Sequence, residues 1–458
     1  MIVLAGGAAL VPTHAVPESA CWTRQSGTAA NEFARAAVTD EAGNIFVAGM
    51  SYGDFAGQGN SGDRDYLVAG YDRNGEPSWA RLSGTAAFDH AQAIAINASG
   101  DLLIAGQTQG DLESQTNQGG FDAFLVKLDS AGNHRWTRLL GSGGGETGHA
   151  VAADSSGNSY LVGWTNGSLD GQPTAGGNDI FVSRHDSAGI KEWTRLLGTS
   201  RDDVAYGAAC DGTGNVYVAG ASSGALGGAS SGGADIVLAK WDSSGANLWT
   251  RQWGTAGEDV AISVAVAADG TIFVSGNTDA NLEGESSGGA IDAFLAKVTP
   301  AGERIWTRLL GGTGNDFGYS VAAGREGNVY LAGYTDGDLD GMTSSGGYDF
   351  LVARFDAGGG KLWSELVGTG EADNGYAVAV DRDLAVTVVG ATRGSLNGQT
   401  HLGGQDVLVR HYCAPGVTPT PTATPVPLLV PIGGGGWAAL FLIPALLASS
   451  RRLQRWRR

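Results

Sequence analysis

An acidic residue recurs along this chain at a step of 56 or 57 residues, always five positions after a Gly that follows a Trp-containing segment. Members of this first acidic row are Glu32, Asp89, Glu146, Asp203, Asp259, Asp316 and Asp373. Seven carboxylates around one mouth of a channel would attract Ca²⁺, a hard cation that prefers oxygen ligands. The alternative, which we favour, is structural: a carboxylate in a Gly-rich turn accepts backbone N–H bonds and fixes the start of a strand.

A second acidic row follows at the same step, usually two residues after a Gly-Gly pair. Its members are Asp65, Asp122, Asp179, Asp235, Asp292, Asp349 and Asp406. Each one stands at the start of an apolar segment, which predicts turn capping. The segment 335–341 resembles a calcium loop but lacks the terminal Glu of an EF-hand. We therefore predict no cofactor, with Ca²⁺ at the first acidic row as the open alternative.

Residues suited to catalysis do not recur together. The histidines His90, His134, His149, His185, His401 and His411 occupy different positions of the repeat. No Ser-His-Asp spacing, histidine cluster or phosphate-binding loop emerges from them. Departures from the repeat at Arg35, Trp164, Trp241 and Trp253 are as well explained by sequence drift. The pattern predicts a protein that is not an enzyme.

The elements that position these residues follow from the repeat itself. A Trp-Thr-Arg segment or a close variant recurs at Trp22, Trp79, Trp136, Trp193, Trp249, Trp306 and Trp363. Each unit holds four short apolar segments separated by Gly and Asp turns, which are typical of β-strands. Seven four-stranded units predict an all-β, seven-bladed β-propeller, since a closed ring protects strand edges. A linear β-solenoid is the alternative, but the unit is long for one solenoid coil.

The repeat also resembles a known family. The segments GNIFVAG, GNVYVAG and GNVYLAG, with GGFDAFLVKLD and WTR, are similar to the SBBP-type β-propeller repeats of bacterial surface and secreted proteins. The resemblance covers residues 22–412. It implies a propeller fold and an envelope or extracellular setting, and it implies no particular activity.

The two ends of the repeat region predict how the ring closes. The chain begins with the Trp segment at Trp22 and stops after the apolar segment 406–412, so the N-terminal strand is expected to complete the last blade. Cys21 and Cys413 stand at positions that flank one tight hairpin turn in the intact repeats, which predicts a Cys21–Cys413 disulfide. Two unrelated thiols are the alternative. Cys210 is expected to be a buried structural thiol.

The segments outside the repeats predict where the protein is sent. Residues 1–15 are a short apolar stretch that ends in a small residue, like the back half of a secretory signal, and we assign residues 1–20 to a partial secretory signal and leader. A disordered apolar terminus is the alternative. Residues 21–413 form the propeller, and residues 414–432 form a Pro/Thr-rich spacer. Residues 433–458, a Gly-rich motif, an apolar helix and an Arg cluster, resemble the GlyGly-type C-terminal sorting signals of Gram-negative bacteria. A permanent single-pass anchor is the alternative.

Charge and composition limit the partners. The formal net charge is −19, and the five Arg of the tail leave residues 1–413 with 23 basic and 47 acidic residues. This field repels phosphate backbones and excludes a nucleic-acid partner. We predict a monomeric, non-enzymatic binding, adhesion or scaffold protein of the cell surface, with a protein or glycan partner and membrane contact only through its tail. The alternatives are an extracellular enzyme (lyase, hydrolase or dehydrogenase) acting on a polymer, and a calcium-stabilised module.

Overall fold

Seven four-stranded antiparallel sheets account for residues 20–414, the part of the chain that the computed structural model describes. These residues contain no α-helix, only two short 3₁₀ turns at Phe55–Gly57 and Arg325–Gly327. The sheets are the blades of a closed seven-bladed β-propeller, so the predicted fold class is confirmed.

Every strand has seven or eight residues. In chain order the strands are β1 (Ala20–Ser26), β2 (Glu32–Thr39), β3 (Ile45–Ser51), β4 (Asp65–Tyr71), β5 (Pro77–Ser83), β6 (Asp89–Ile96), β7 (Leu102–Thr108), β8 (Asp122–Leu128), β9 (His134–Leu140), β10 (Glu146–Ala153), β11 (Ser159–Thr165), β12 (Asp179–His185), β13 (Lys191–Leu197), β14 (Asp203–Cys210), β15 (Val216–Ser222), β16 (Asp235–Trp241), β17 (Asn247–Trp253), β18 (Asp259–Val266), β19 (Ile272–Thr278), β20 (Asp292–Val298), β21 (Arg304–Leu310), β22 (Asp316–Ala323), β23 (Val329–Thr335), β24 (Asp349–Phe355), β25 (Lys361–Val367), β26 (Asp373–Val380), β27 (Val386–Thr392) and β28 (Asp406–Tyr412).

Burial follows the order of the strands within a blade. Blades 1 to 6 take consecutive groups of four strands from β2 onward, and the first strand of each group is innermost. The second and third strands are almost wholly buried, as in β3 and β4, because each blade packs between two neighbours. The outermost strands, such as β13, are largely half-buried or exposed. Both faces of a blade therefore contribute to the core, which explains the continuous apolar runs of the second and third strands.

Each Trp of the repeat joins its blade to the following one. The indole of Trp22 donates a hydrogen bond to the carbonyl oxygen of Arg73 at 3.2 Å. Beside it, the guanidinium of Arg24 donates a hydrogen bond to the carbonyl oxygen of Gly75 at 2.8 Å. Gly75 has a φ of +78°, and a Cβ placed on it would lie 2.6 Å from the Trp22 ring. This glycine is therefore required both by the turn and by the indole that rests on it. Equivalent indole bonds are made by Trp79, Trp193 and Trp306.

The N-terminal strand closes the ring as predicted. In blade 7 the strand order is β1-β28-β27-β26, and β1 pairs antiparallel with β28, with Thr23 opposite Arg410. A disulfide joins Cys21 to Cys413, whose Cα atoms are 5.1 Å apart and 392 residues apart in sequence. It occupies the place of the tight turn that links the third and fourth strands of the other blades. The covalent bond thus replaces a chain connection.

The expected secretory signal, spacer and sorting segment lie outside the described residues, apart from single residues at their borders. Within residues 20–414 no helix has the length and apolar character needed to cross a membrane. The predictions for the two ends therefore remain predictions.

We expect loss of the Cys21–Cys413 bond to lower the free energy of unfolding by several kcal/mol. For a closed loop of this length the chain-entropy relation gives about 6 kcal/mol as an upper bound, because the bridge restricts the unfolded chain. Thermal unfolding of the full chain with and without reductant, and of the C21S/C413S double variant, measures the loss. The C210S variant is the control and should keep the effect of the reductant. Equal melting temperatures for the wild type and the double variant would show that strand pairing alone closes the ring.

We expect the buried imidazole of His185 to make the protein less stable in acid. Burial lowers its pKa to about 4, so the folded protein keeps it neutral at pH values where the unfolded chain binds a proton. The neutral imidazole therefore costs no stability above pH 6.5. As the pH falls from 6.5 toward 4, the free energy of unfolding decreases by at most about 1.4 kcal/mol per pH unit. Leu128 occupies the same place in blade 2, so the H185L variant should gain stability relative to wild type as urea unfolding is moved from pH 7 to pH 5. If the free energies of unfolding of H185L and wild type differ by the same amount at pH 7 and at pH 5, the prediction is wrong.

Candidate functional site

The first acidic row lies buried at the junctions between blades. All seven carboxylates are fully buried, and each accepts a hydrogen bond from the backbone N–H four residues earlier. At Glu32 the donor is Thr28, at 2.6 Å, and the hydroxyls of Thr28 and Ser51 donate to the same carboxylate. The geometry is that of a turn held by a side chain, as the structural alternative describes.

The backbone of the same seven residues bonds each blade to the one before it. The N–H of each first-row acid donates to the carbonyl oxygen of the residue that precedes the second-row Asp of the preceding blade, at 2.6 to 3.0 Å. Asp89, for example, bonds to Arg64 across the junction of blades 1 and 2. Glu32 bonds to Gln405 across the seam where the chain ends meet. All seven junctions therefore have the same contact.

The second acidic row also caps turns. In each case Oδ2 accepts the backbone N–H of the residue four positions earlier, as Ser61 donates to Asp65 at 2.8 Å. Burial raises the pKa of Asp65, Asp122, Asp179 and Asp349. Within residues 20–414 no three His, Cys, Asp or Glu side chains come close enough together to hold a metal ion.

A cavity of about 500 Å³ lies on the propeller axis, between the seven innermost strands. Apart from one residue per strand, its lining consists of Ala, Gly, Ser, Val and Ile. No acidic side chain lines it, so neither acidic row faces this part of the channel. The cavity is thus an uncharged, small-residue chamber except for the seven exceptional positions.

Those seven positions are β-bulges. In every innermost strand the register shifts at the fourth residue, which is left without a partner in the second strand. A bulge re-aims the side chain of the extra residue, and here it aims it at the axis. We call these residues the bulge ring: Arg35, Gln92, His149, Tyr206, Ile262, Tyr319 and Tyr376.

The bulge ring breaks the sevenfold symmetry of the fold. The guanidinium of Arg35 lies over the ring of Tyr376, with Cζ 4.2 Å from the centroid, and Tyr376 contacts Tyr319 edge-on at 5.6 Å. Across the cavity His149 stacks on Tyr206 at 5.0 Å. One side of the chamber thus carries a cation on aromatic rings, and the other a stacked imidazole and phenol.

His149 is held as a neutral hydrogen-bond acceptor. Its Nδ1 lies 3.0 Å from the Ala205 carbonyl oxygen, which can only accept, so Nδ1 carries the proton. Burial lowers the pKa of the imidazole to about 4. At neutral pH Nε2 is therefore unprotonated.

Further aromatic residues extend the tyrosine side of the bulge ring. Phe317, Tyr334 and Tyr348 pack against one another, and the Tyr334 hydroxyl donates to that of Tyr319 at 3.2 Å. Burial raises the pKa of Tyr334 and Tyr376, so both phenols keep their protons at neutral pH. The result is an aromatic wall with hydroxyl groups.

The sequence alone does not identify the residues of this site. In the sequence Arg35 departs from the repeat as several core residues also do, and His149 is one of six histidines at different repeat positions. The usable signal is that the position three residues after each first-row acid varies from Arg to Ile among otherwise similar repeats. The other departures are distinct from this ring: Trp241 and Trp253 are buried core residues.

Three segments of the chain, residues 135–170, 192–227 and 305–340, match the family model described as SBBP, a beta-propeller repeat. The chain therefore carries SBBP repeats on a seven-bladed propeller. It is 29% identical over 191 residues to the regulatory protein FlaEY of Caulobacter vibrioides, which is 38% of this chain and 20% of that protein. It is 25% identical over 178 residues to the uncharacterized WD repeat-containing protein L264 of Acanthamoeba polyphaga mimivirus, 32% of this chain and 13% of that protein. The chain thus spans a fifth or less of these relatives.

Several solved structures are similar at low identity. A structure of YCF48 bound to D1 peptide is 12% identical, with a TM-score of 0.45, and the match covers 88% of this chain and 99% of that one. A PL25 polysaccharide lyase, an ulvan lyase, is 14% identical, with a TM-score of 0.46, covering 83% and 96%. Puromycin hydrolase is 12% identical, with a TM-score of 0.44, covering 80% and 50%. These likenesses carry no functional argument.

We expect D89A to destabilise the protein by about 2 kcal/mol, since it leaves the N–H and hydroxyl of Thr85 without the carboxylate that accepts both bonds. D89N keeps an acceptor oxygen and should cost less. Denaturant unfolding measures both, and D383A, in an exposed turn, is the control.

The same variants separate hydrogen bonding from metal binding at the first acidic row. A chelator should leave the melting temperature of the wild type unchanged, because protein groups already bond to these carboxylates. A drop of several degrees that D89A abolishes would instead support the calcium alternative.

Proposed function

We propose that this protein is a non-enzymatic binding module of the bacterial cell surface whose ligand occupies the axial cavity. The observation that carries the proposal is the bulge ring, seven different residues on a scaffold that is otherwise repeated. The cavity volume is within the usual range for small-molecule sites, and its polar groups are few and directed inward. An extended partner, a glycan or a protein segment, would place one group in this chamber and contact the surrounding loops.

The groups in the cavity favour binding over catalysis. A general base works best with a pKa near the working pH, and His149 is far below it. The hydroxyl oxygens of Ser263 and Ser320 accept backbone N–H bonds from Val321 and Val378 in neighbouring blades, so they are positioned as structural links. The lining offers no carboxylate or thiol as an alternative nucleophile. These features support a partner that is held and not converted.

A location outside the cytoplasm is supported by three features. The N-terminal and C-terminal segments have the composition of a secretory signal and a sorting signal. The Cys21–Cys413 disulfide is typical of oxidising compartments. The SBBP resemblance agrees with an envelope setting in a Gram-negative bacterium. We propose a monomer, anchored or sorted through its tail, with no nucleic-acid partner because of its negative charge.

A binding screen of the full chain against glycans and envelope proteins tests the proposal. We expect Y319A to weaken the best ligand about tenfold, since it removes an aromatic surface of the cavity, equivalent to about 1.4 kcal/mol. I190A, on the exposed outer edge of blade 3, is the matched control and should bind like wild type. Y319A and Y206A binding with unchanged affinity would place the ligand elsewhere. Conversion of the ligand into product would favour the enzyme alternative.

A further inference from the structure

We infer that the axial cavity binds an acidic saccharide, a uronic acid unit whose carboxylate pairs with Arg35. This inference rests on the proposed function and specifies the ligand of the same cavity. Its basis is an arginine whose charge is left without an anion.

Arg35 is half-buried, and within residues 20–414 its guanidinium has neither an ion pair nor a hydrogen bond. Its Nε is buried without a partner. The contacts that it makes are with aromatic rings, Tyr376 at 4.2 Å and Phe33 at 5.6 Å. Three other arginines of the propeller are paired with carboxylates at 2.6 to 2.8 Å, namely Arg24 with Glu76, Arg81 with Glu113 and Arg410 with Glu365. Arg138 and Arg195 lack a carboxylate but donate hydrogen bonds to backbone carbonyl oxygens.

Nothing else in the cavity balances this charge. The chain holds 47 acidic residues, yet none lines the chamber. Glu32, three residues before Arg35, is engaged by Thr28 and Ser51. A partly desolvated cation without a counter-ion is costly, and a cation–π contact offsets only part of that cost. A bound anion would supply the missing partner.

A second unsatisfied group lies on the same side. His90 is 5% exposed, and its Nε2 has no hydrogen-bond partner. Burial first, and then the charges of Arg35 and Arg64, lower the pKa of His90. Arg64 stacks on Phe88 at 3.7 Å, and its paired acid, Asp63, is itself mostly exposed.

The remaining groups suit a sugar ring. Three tyrosines present aromatic faces and hydroxyls, and Gln92 and the Nε2 of His149 are suited to bonding sugar hydroxyls. A saccharide presents an apolar face beside a rim of hydroxyls, which matches such a lining. The planar guanidinium of Arg35 matches the two oxygens of a carboxylate. Sulfate and phosphate esters share the negative charge and are separated by experiment.

The test is calorimetric titration of the full chain with a uronic acid oligosaccharide, its methyl ester, and sulfated and phosphorylated sugars of similar size. We expect the free acid to bind at least tenfold more tightly than the neutral ester, and its affinity to fall with added salt. R35Q should remove this preference while still binding the ester, and R35K should restore part of it. R201Q removes the same charge from an exposed loop and should leave both affinities unchanged.

The outcomes separate the inference from the proposed function. Equal binding of acid and ester, or an R35Q variant that keeps the preference for the acid, overturns the role of Arg35 while a cavity ligand remains. Tighter binding of a sulfate or phosphate ester overturns the uronate assignment. If Y319A binds the ligand as tightly as wild type, the axial cavity is not the binding site. If R35Q does not fold, the comparison of acid with ester on the wild type decides.

Discussion

The backbone bond between consecutive blades is the contact on which this propeller depends. Each innermost strand begins at a buried acid whose N–H bonds to the preceding blade and whose carboxylate holds its own turn. Six of these bonds join blades that are consecutive in the chain, and the seventh requires the first and last blades to meet. At the seam Glu32 bonds to Gln405, and β1 with the disulfide keeps that junction in register. Closure therefore completes the set of seven junctions, so that no blade keeps an innermost strand without this contact.

The same constraint explains where variation is tolerated. Residues that face neighbouring blades are apolar and tightly packed, and the turn glycines that lie under six of the seven indoles cannot accept a side chain without a clash. The bulge residue is outside the ladder and outside the blade-to-blade core, so its identity is free of both demands. Seven such positions meet on the axis, where side chains as different as Arg35 and Ile262 are accommodated. A rigid, symmetric frame thereby presents an asymmetric set of polar groups.

Charge is distributed unevenly in this frame. The acidic rows are buried at the junctions and hydrogen-bonded there, while the axial chamber holds an arginine and no acid. The overall negative charge slows the approach of an anion, but at physiological ionic strength such a field is screened beyond about 8 Å. Within the chamber the local cation dominates, because solvent screens it less.

The sequence by itself determined the number of blades, the four strands of each, the use of the N-terminal strand to close the ring and the pairing of Cys21 with Cys413. These follow from a constant repeat and from its two interrupted ends, which are properties of the linear chain. The tertiary structure alone decided that the first acidic row is buried between blades. It also decided that six of the seven Trp rings rest on a turn glycine of the next blade, while Trp363 contacts Tyr412 at the seam. It alone also brought Arg35, His149 and Tyr376 to one cavity. A bulge adds a residue without a distinct sequence signature, so the direction of these side chains depends on strand register, which only the folded sheet fixes.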